Sequence, residues 1–355
     1  MKNNIENLIT ERKTLWHYLK ECKKPIVLYG MGNGAEKIMS VLESYGMKAD
    51  EVFASDEFVR GHSFCGYKVK KLSEIESEYD DFIILLSFGA GYTELINKIK
   101  AIANKHELYA PDLPVYGDVI FTYEYFNEHI KEAQKIYDML ADEKSRQVFC
   151  DVLNYKISGK IDYLFSCESE RRDAVKEIIN PKYEDIYVDL GAYNGDTVLE
   201  MLELTGGKMK KIIAFEPDKR NYRKLSENTA GYDFCECIND GAWSEDTSIT
   251  FSQTSGRNAS VSDKGKITEM RSVDSVTNCR ADIIKMDVEG AEEQALLGAE
   301  KTICSCKPRL IVSAYHRSED IFKLPLFIQK LNPEYKLFLR HHPYIPAWET
   351  EIYAK

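Results

Sequence analysis

The residues with the clearest capacity for chemistry lie in the second half of the chain. The run Tyr187-Val188-Asp189-Leu190-Gly191-Ala192-Tyr193-Asn194-Gly195-Asp196-Thr197 carries an apolar stretch into a carboxylate, then two glycines four apart, then a helical pattern. Glycines in such a turn let the backbone approach a ligand that a side chain would hold off. The first amides of the following helix lack intrahelical acceptors and favour a carboxylate or phosphate. A second apolar stretch, Ile212-Ile213-Ala214-Phe215, ends in Glu216-Pro217, where a carboxylate can accept hydrogen bonds from two ribose hydroxyls. A third ends in Asn239-Asp240-Gly241-Ala242-Trp243, placed to meet a purine ring. Three strand ends converging on one cleft are the usual ligand position of an open α/β sheet. The bland alternative is that Asp189 caps a turn and Glu216 a helix. The glycine spacing lacks the G-x-G-x-x-G form of dinucleotide sites.

Two further strand ends supply groups able to move a proton. Residues 283–287 end in Asp287, with Glu289 just beyond, and residues 310–314 run into Tyr315-His316. Neighbouring strands would bring Asp287, Glu289 and His316 over one point. A neutral alcohol is a poor nucleophile, and a positioned base is the standard remedy. Asp287 and His316 are both candidates for that base. A carboxylate beside His316 would raise its pKa and orient its ring, whereas a divalent cation held by the same groups would acidify a substrate hydroxyl. The spacing fixes no metal-ligand set, so the metal is an open question. Lys285 also fits a structural ion pair, Glu289 a helix cap, and Glu292 and Glu293 the favourable end of a helix. His341 and His342 fit a hairpin loop near the mouth of the cleft, where they would either contact substrate or, as the favoured reading, face solvent.

The elements that must position these groups alternate. Strands are expected at 186–190, 211–216, 234–239, 283–287 and 310–314, with helices at 197–204, 221–228 and 291–299. Residues 335–340 and 349–353 can pair as an antiparallel hairpin. The first half shows a similar alternation. A helix over 5–22 precedes the strand Pro25-Ile26-Val27-Leu28-Tyr29, then Gly30-Met31-Gly32-Asn33-Gly34-Ala35, a helix over 36–45, and strands near 51–55, 67–69 and 82–87. Gly30 to Ala35 fits G-x-G-x-x-[GA] after a strand, with Asp56 some two dozen residues on, which suggests a nucleotide. Residues 121–179 read as helix throughout. The expected organisation is an α/β unit over 1–120, a helical connector over 121–180 and a second α/β unit over 181–355.

The runs beginning at Asp189 and at Ala214-Phe215-Glu216-Pro217, and above all Lys285-Met286-Asp287-Val288-Glu289-Gly290-Ala291-Glu292, resemble the FkbM-type methyltransferases. The resemblance covers most of 183–355. It implies a class I methyltransferase fold, Rossmann-like, whose seven-stranded sheet has an antiparallel last strand. It further implies S-adenosylmethionine (SAM) as cofactor and O-methylation of a sugar, glycan precursor or natural-product hydroxyl. By position it places Gly191, Ala192 and Gly195 along the methionine portion, with Asp189 at its amino group. Glu216 falls on the ribose, and Asp240, Gly241 and Trp243 fall around adenine. The first unit looks like the small Rossmann-like domains attached to bacterial sugar-modifying enzymes. The competing readings are an NAD-linked oxidoreductase or nucleotide-sugar-binding protein using Gly30 to Asp56, and a non-catalytic sensor of SAM or a nucleotide.

Bulk properties are those of a folded soluble protein. The 355 residues exceed one ordinary core, and 44% are hydrophobic and 30% charged. A net charge of −11 disfavours nucleic acid as partner; the cluster Lys208, Lys210 and Lys211 reads as a solvated turn. No apolar run reaches membrane-spanning length and no signal-peptide core opens the chain, so a cytoplasmic location is expected. Oligomeric state is not legible. Nine cysteines include the pairs Cys235/Cys237 and Cys304/Cys306, whose alternate spacing in a strand would suit packing rather than zinc.

Overall fold

The computed structural model describes residues 4–251 and 266–355. Its first sheet is built from β1 (Ile26–Tyr29), β2 (Glu51–Phe53), β3 (Ser63–Phe64), β4 (Tyr67–Lys70), β5 (Ile83–Leu86) and β6 (Glu107–Tyr109), in the order β3-β4-β2-β1-β5-β6. All pairings are parallel except the β3–β4 hairpin. β1 and β5 are buried at every position, as strands covered on both faces must be, which is why they read as unbroken apolar runs. The strand β6 is an addition that the sequence pattern did not announce.

The N-terminal helix divides in two, Ile5–Leu8 and Leu15–Glu21. The Asn154 side-chain oxygen accepts from the amides of Thr10 and Glu11, which holds that stretch out of helical geometry. Thr14 then caps the second helix at His17 N.

Between the sheets run the helices Tyr123–Glu128, Ile130–Met139, Glu143–Ser158, Asp162–Cys167 and Arg171–Ala174. Glu143–Ser158 carries Val148, Phe149, Val152 and Leu153 into an apolar core that also holds Val27 and Leu86 of the first sheet and Leu337 and Leu339 of the second. Its Ser145 hydroxyl accepts from Leu339 N, and Arg340 pairs with Asp142 at 2.6 Å.

The second sheet contains β7 (Ile186–Leu190), β8 (Lys211–Phe215) and β9 (Cys235–Ile238). After it, β10 (Gly241–Ala242), β11 (Thr247–Phe251) and β12 (Lys266–Arg271) form a separate three-stranded sheet. The main sheet resumes with β13 (Ile283–Met286), β14 (Arg309–Ser313), β15 (Leu337–His341) and β16 (Thr350–Ala354). Its order is β15-β16-β14-β13-β7-β8-β9, with β16 antiparallel to both neighbours. This is a class I methyltransferase sheet with a reversed final strand. The switch point lies between β7 and β13, so the carboxyl ends of β7, β8, β13 and β14 open on one crevice.

Two expectations need correcting. Cys304 and Cys306 lie in the helix Glu300–Cys306 and are exposed; only Cys235 and Cys237 share a strand. His341 and His342 are buried, not exposed: His341 belongs to β15, and His342 bonds Ser169 O and approaches Glu351 at 3.1 Å. Ser255-Gly256-Arg257-Asn258 and Ser260, whose residue types suit either a substrate-contacting loop or a simple turn, fall outside the described residues. No helix among the described residues is long and apolar enough to cross a membrane.

Lys156 of the central helix is buried against Asp112 at 2.9 Å, with side chains 3% and 6% exposed. Removing one partner of a buried pair leaves an uncompensated charge. Asp112→Ala should therefore lower unfolding stability by about 3 kcal/mol in a urea titration; an unchanged midpoint would contradict this role.

Candidate active site

The turn after β7 is shaped by a charge beneath it. Lys285, at the third position of β13, is 3% exposed. Its ammonium lies 3.2 Å from Asp189 Oδ1 and donates to Gly191 O at 2.8 Å. Burial alone would lower its pKa, but the Asp189 and Asp287 carboxylates hold it above the usual lysine value. Thr197 donates to the other Asp189 oxygen at 2.5 Å. Asp189 is fully buried, so its carboxylate braces the turn from below. Lys285 and Thr197 flank its two oxygens directly beneath the Gly191 turn.

Gly191 has φ +78°, and a Cβ there would lie 1.9 Å from the carbonyl oxygen of Asp287. Only glycine allows the ends of β7 and β13 to approach so closely. Gly195, at φ +89°, precedes the helix Asp196–Leu204, and Ala192 between the glycines is buried. Glu216, immediately after β8, is 6% exposed. One carboxylate oxygen accepts from Tyr193 N at 2.9 Å and the other from Asp218 N at 2.8 Å. Gly191 and Glu216 therefore sit on the same side of the sheet. Burial raises the Glu216 pKa to about 7 against the opposing pull of those amides. Each oxygen keeps acceptor capacity after its amide bond, enough for a vicinal diol.

Asp240 is half-buried beside β10, and burial raises its pKa. Gly241 is packed so closely on Met270 that a Cβ would meet its sulfur at 2.5 Å. The Trp243 backbone donates to Arg271 O and abuts Gly298, with the residue as a whole half-buried.

The carboxyl ends of β13 and β14 bring Asp287, Glu289 and His316 together. His316 is 1% exposed; its Nε2 lies 3.4 Å from Asp287 and 3.6 Å from Glu289, and its Nδ1 lies 2.9 Å from Glu292. Burial alone would lower its pKa, but Glu292 first, then Asp287 and Glu289, raise it to about 9. The ring is thus an imidazolium at neutral pH. Asp287 is more open than Glu292, with its side chain 30% exposed against 1%, and accepts from the Tyr315 hydroxyl at 3.2 Å. Glu289 has φ +53° and is half exposed.

Three carboxylates near this cluster were missed as site groups from sequence. Glu292 had been read as a helix-end charge, yet it is 1% exposed and accepts from Val288 N while facing His316. Burial pushes Asp320 to about 7, with Glu292 adding to the rise. Glu349 also rises to about 7 by burial, with Glu351 and Asp287 contributing. No spacing signal could have joined Glu349 to Asp287, because the hairpin alone brings them near.

A family model described as the Methyltransferase FkbM domain matches residues 189–346. Those residues thus carry an FkbM methyltransferase domain. No curated protein matches the chain. Among solved structures, the chain is similar to the methyltransferase FkbM from Methylobacillus flagellatus KT. That match has a TM-score of 0.71 and 21% identity and covers 99% of this chain and 93% of that chain, which shows a shared fold. It also matches an rRNA methylase from Streptococcus thermophilus at TM-score 0.35 and 17% identity, covering 52% of this chain and 92% of that one. A likeness at that level carries no functional argument.

Within the FkbM domain, Asp287, Glu292 and His316 each offer an atom within 4.8 Å of the others. The two ring nitrogens of His316 face different carboxylates, so the ring lies between Asp287 and Glu292 as a link in an ion-pair chain. This arrangement differs from donors converging on one cation.

The charged imidazole has a pH signature. Its pKa is raised above the unfolded value, so its stabilising contribution is complete below pH ~6.5 and is lost as pH rises through about 9. Imidazole NMR should show His316 titrating near 9, and Glu292→Gln should bring that value down. A wild-type midpoint near 6.5 would contradict the ion-pair chain.

Proposed function

We propose that this FkbM-family methyltransferase is SAM-dependent and methylates a hydroxyl of a sugar, glycan precursor or natural product. The observation that carries the reading is the adjacency of two half-sites. The Gly191 turn faces Glu216 on one side and touches the Asp287 carbonyl on the other. Cofactor and proton-handling groups would thus share one crevice.

The residues fit a nucleoside sulfonium on three counts. Gly191 keeps a narrow backbone cradle clear, Glu216 has acceptor capacity for a ribose diol, and the region is rich in carboxylates. When bound, SAM supplies a methyl group on sulfur for attack by an oxygen nucleophile. Gly191, Ala192 and Gly195 would line its amino-acid portion, and Asp240, Gly241 and Trp243 its base. Asp287 would accept the acceptor's hydroxyl proton as the oxygen–carbon bond forms. His316, already charged, would hold the Asp287 carboxylate in place, with Glu292 fixing the ring from behind. Tyr315 would orient Asp287 through its hydroxyl. The net charge of −11 supports a small neutral acceptor over a polyanion.

The test is calorimetry with SAM and S-adenosylhomocysteine alongside turnover on a panel of sugars and polyols. Asp287→Asn should lower kcat by about 10²- to 10⁴-fold with cofactor Kd within about threefold of wild type. Glu216→Gln should weaken cofactor binding instead. Wild-type turnover in Asp287→Asn, or no SAM binding by the intact chain, would refute the assignment.

A further inference from the structure

The first sheet has a crevice of its own. A cleft of about 720 Å³ opens at the carboxyl ends of β1, β2 and β5, where strand order reverses between β1 and β5. Its floor is Tyr29, stacked on Phe53 at 4.5 Å and met edge-on by Phe88 at 4.9 Å. Two of the exposed large apolar side chains among the described residues border it, Phe58 at 55% and Tyr92 at 82%. Aromatic rings left bare around a cavity of ligand size are surfaces on which a planar base can stack.

The backbone beside those rings is arranged for an anion. Gly30 has φ +118°, and a Cβ on it would strike Ser87 Oγ at 2.5 Å. A Cβ on Gly34 would lie 2.0 Å from Ser87 O, so the helix Asn33–Ser44 starts pressed against the end of β5. Its N-cap, Gly32, provides no side-chain cap, and the space where its Cβ would project is open. The helix start follows directly on Gly30 and Met31, which line the cleft, with no competing side chain from the cap. Lys98 lines the same cleft, 3.9 Å from Glu57, which also lines it. Asp56, the acid expected from sequence to meet a ribose, is exposed and turned toward Lys71 at 3.9 Å; Glu57 takes the lining position.

From this combination we infer a second ligand site, for a nucleoside diphosphate. The base would stack among Phe58, Phe88 and Tyr92, the ribose would meet Glu57, and the diphosphate would lie on the Gly30–Asn33 turn and Lys98. The site is separate from the methyl-transfer crevice and does not rest on the proposed function. It is nevertheless mechanically joined to it. The loop 87–92, which supplies Phe88 and Tyr92, exchanges backbone hydrogen bonds at Ala90 with Ile345, at 2.7 and 2.9 Å. Tyr344 packs where side chains on Gly89 and Gly91 would stand. Residues 342–349 then lead to Glu349 beside Asp287. The diphosphate could come from a free nucleotide or from a nucleotide-linked sugar.

Gly32→Asp separates binding from folding. Gly32 has φ −131° and open space at its Cβ, so aspartate fits and, as an N-cap, stabilises the helix. Its carboxylate would occupy the anion's place. Calorimetry on the full chain with ADP, UDP and UDP-glucose should show binding by at least one. Gly32→Asp should weaken that binding about tenfold or more with Tm unchanged or raised, and Tyr92→Ala should weaken it with SAM affinity kept. Methyl transfer to UDP-glucose would assign the diphosphate to the acceptor; binding without transfer would assign it to a separate effector. No binding by any of the three, or equal binding by Gly32→Asp, overturns the inference.

Discussion

A single buried ammonium organises the methyl-transfer crevice. Lys285 enters the interior on β13, directly in register with Asp189 of β7. An ammonium removed from water is costly unless it is paired and hydrogen-bonded. Asp189 supplies the charge and the Gly191 carbonyl supplies the acceptor. That second bond fixes the peptide that turns the chain out of β7, and the missing side chain of Gly191 lets the end of β13 close upon it. The positions of Tyr193 N and Glu216 follow from the turn, and the position of Asp287 follows from the closure. The two halves of the site are thus consequences of one charge and one absent methyl group.

Around the far half the imbalance runs the other way. Asp287, Glu289, Glu292, Asp320 and Glu349 crowd a region in which His316 is the ion-pair partner of Asp287, Glu289 and Glu292. Arg317 is committed to Gly290 O, so the imidazole takes the field of the carboxylates. A histidine under that field is charged at neutral pH, which makes it a partner for Asp287 in preference to a proton acceptor. The segment 114–121 seals this side: Tyr116 N donates to His316 O, and the Ser318 hydroxyl donates to Val119 O. The first half of the chain therefore takes part in closing the site carried by the second.

Much of this was legible in the sequence because buried parallel strands announce themselves. Tyr187-Val188, Ile212-Ile213 and Ile283-Ile284 read as apolar runs, and the glycines and acids that follow them fall at strand ends. The run from Lys285 to Glu292 marked the chemistry. What sequence could not show was orientation. Asp189 carries the right residue type at the right place but points inward to Lys285. His341 and His342 sit among polar neighbours in sequence, yet pairing of β15 with β16 buries both. Glu349 joins Asp287 only through that hairpin. The small β10-β12-β11 sheet is faint in the sequence because β10 has only two residues and β11 and β12 are mostly polar.

The most direct measurement is a structure of the chain bound to S-adenosylhomocysteine. The account predicts the ribose hydroxyls on Glu216, the amino-acid portion along Gly191 to Gly195 with Lys285 and Asp189 unmoved beneath, and the sulfur directed toward Asp287. A nucleoside bound away from Glu216, or a Lys285 that leaves Asp189 to meet the ligand, would contradict it.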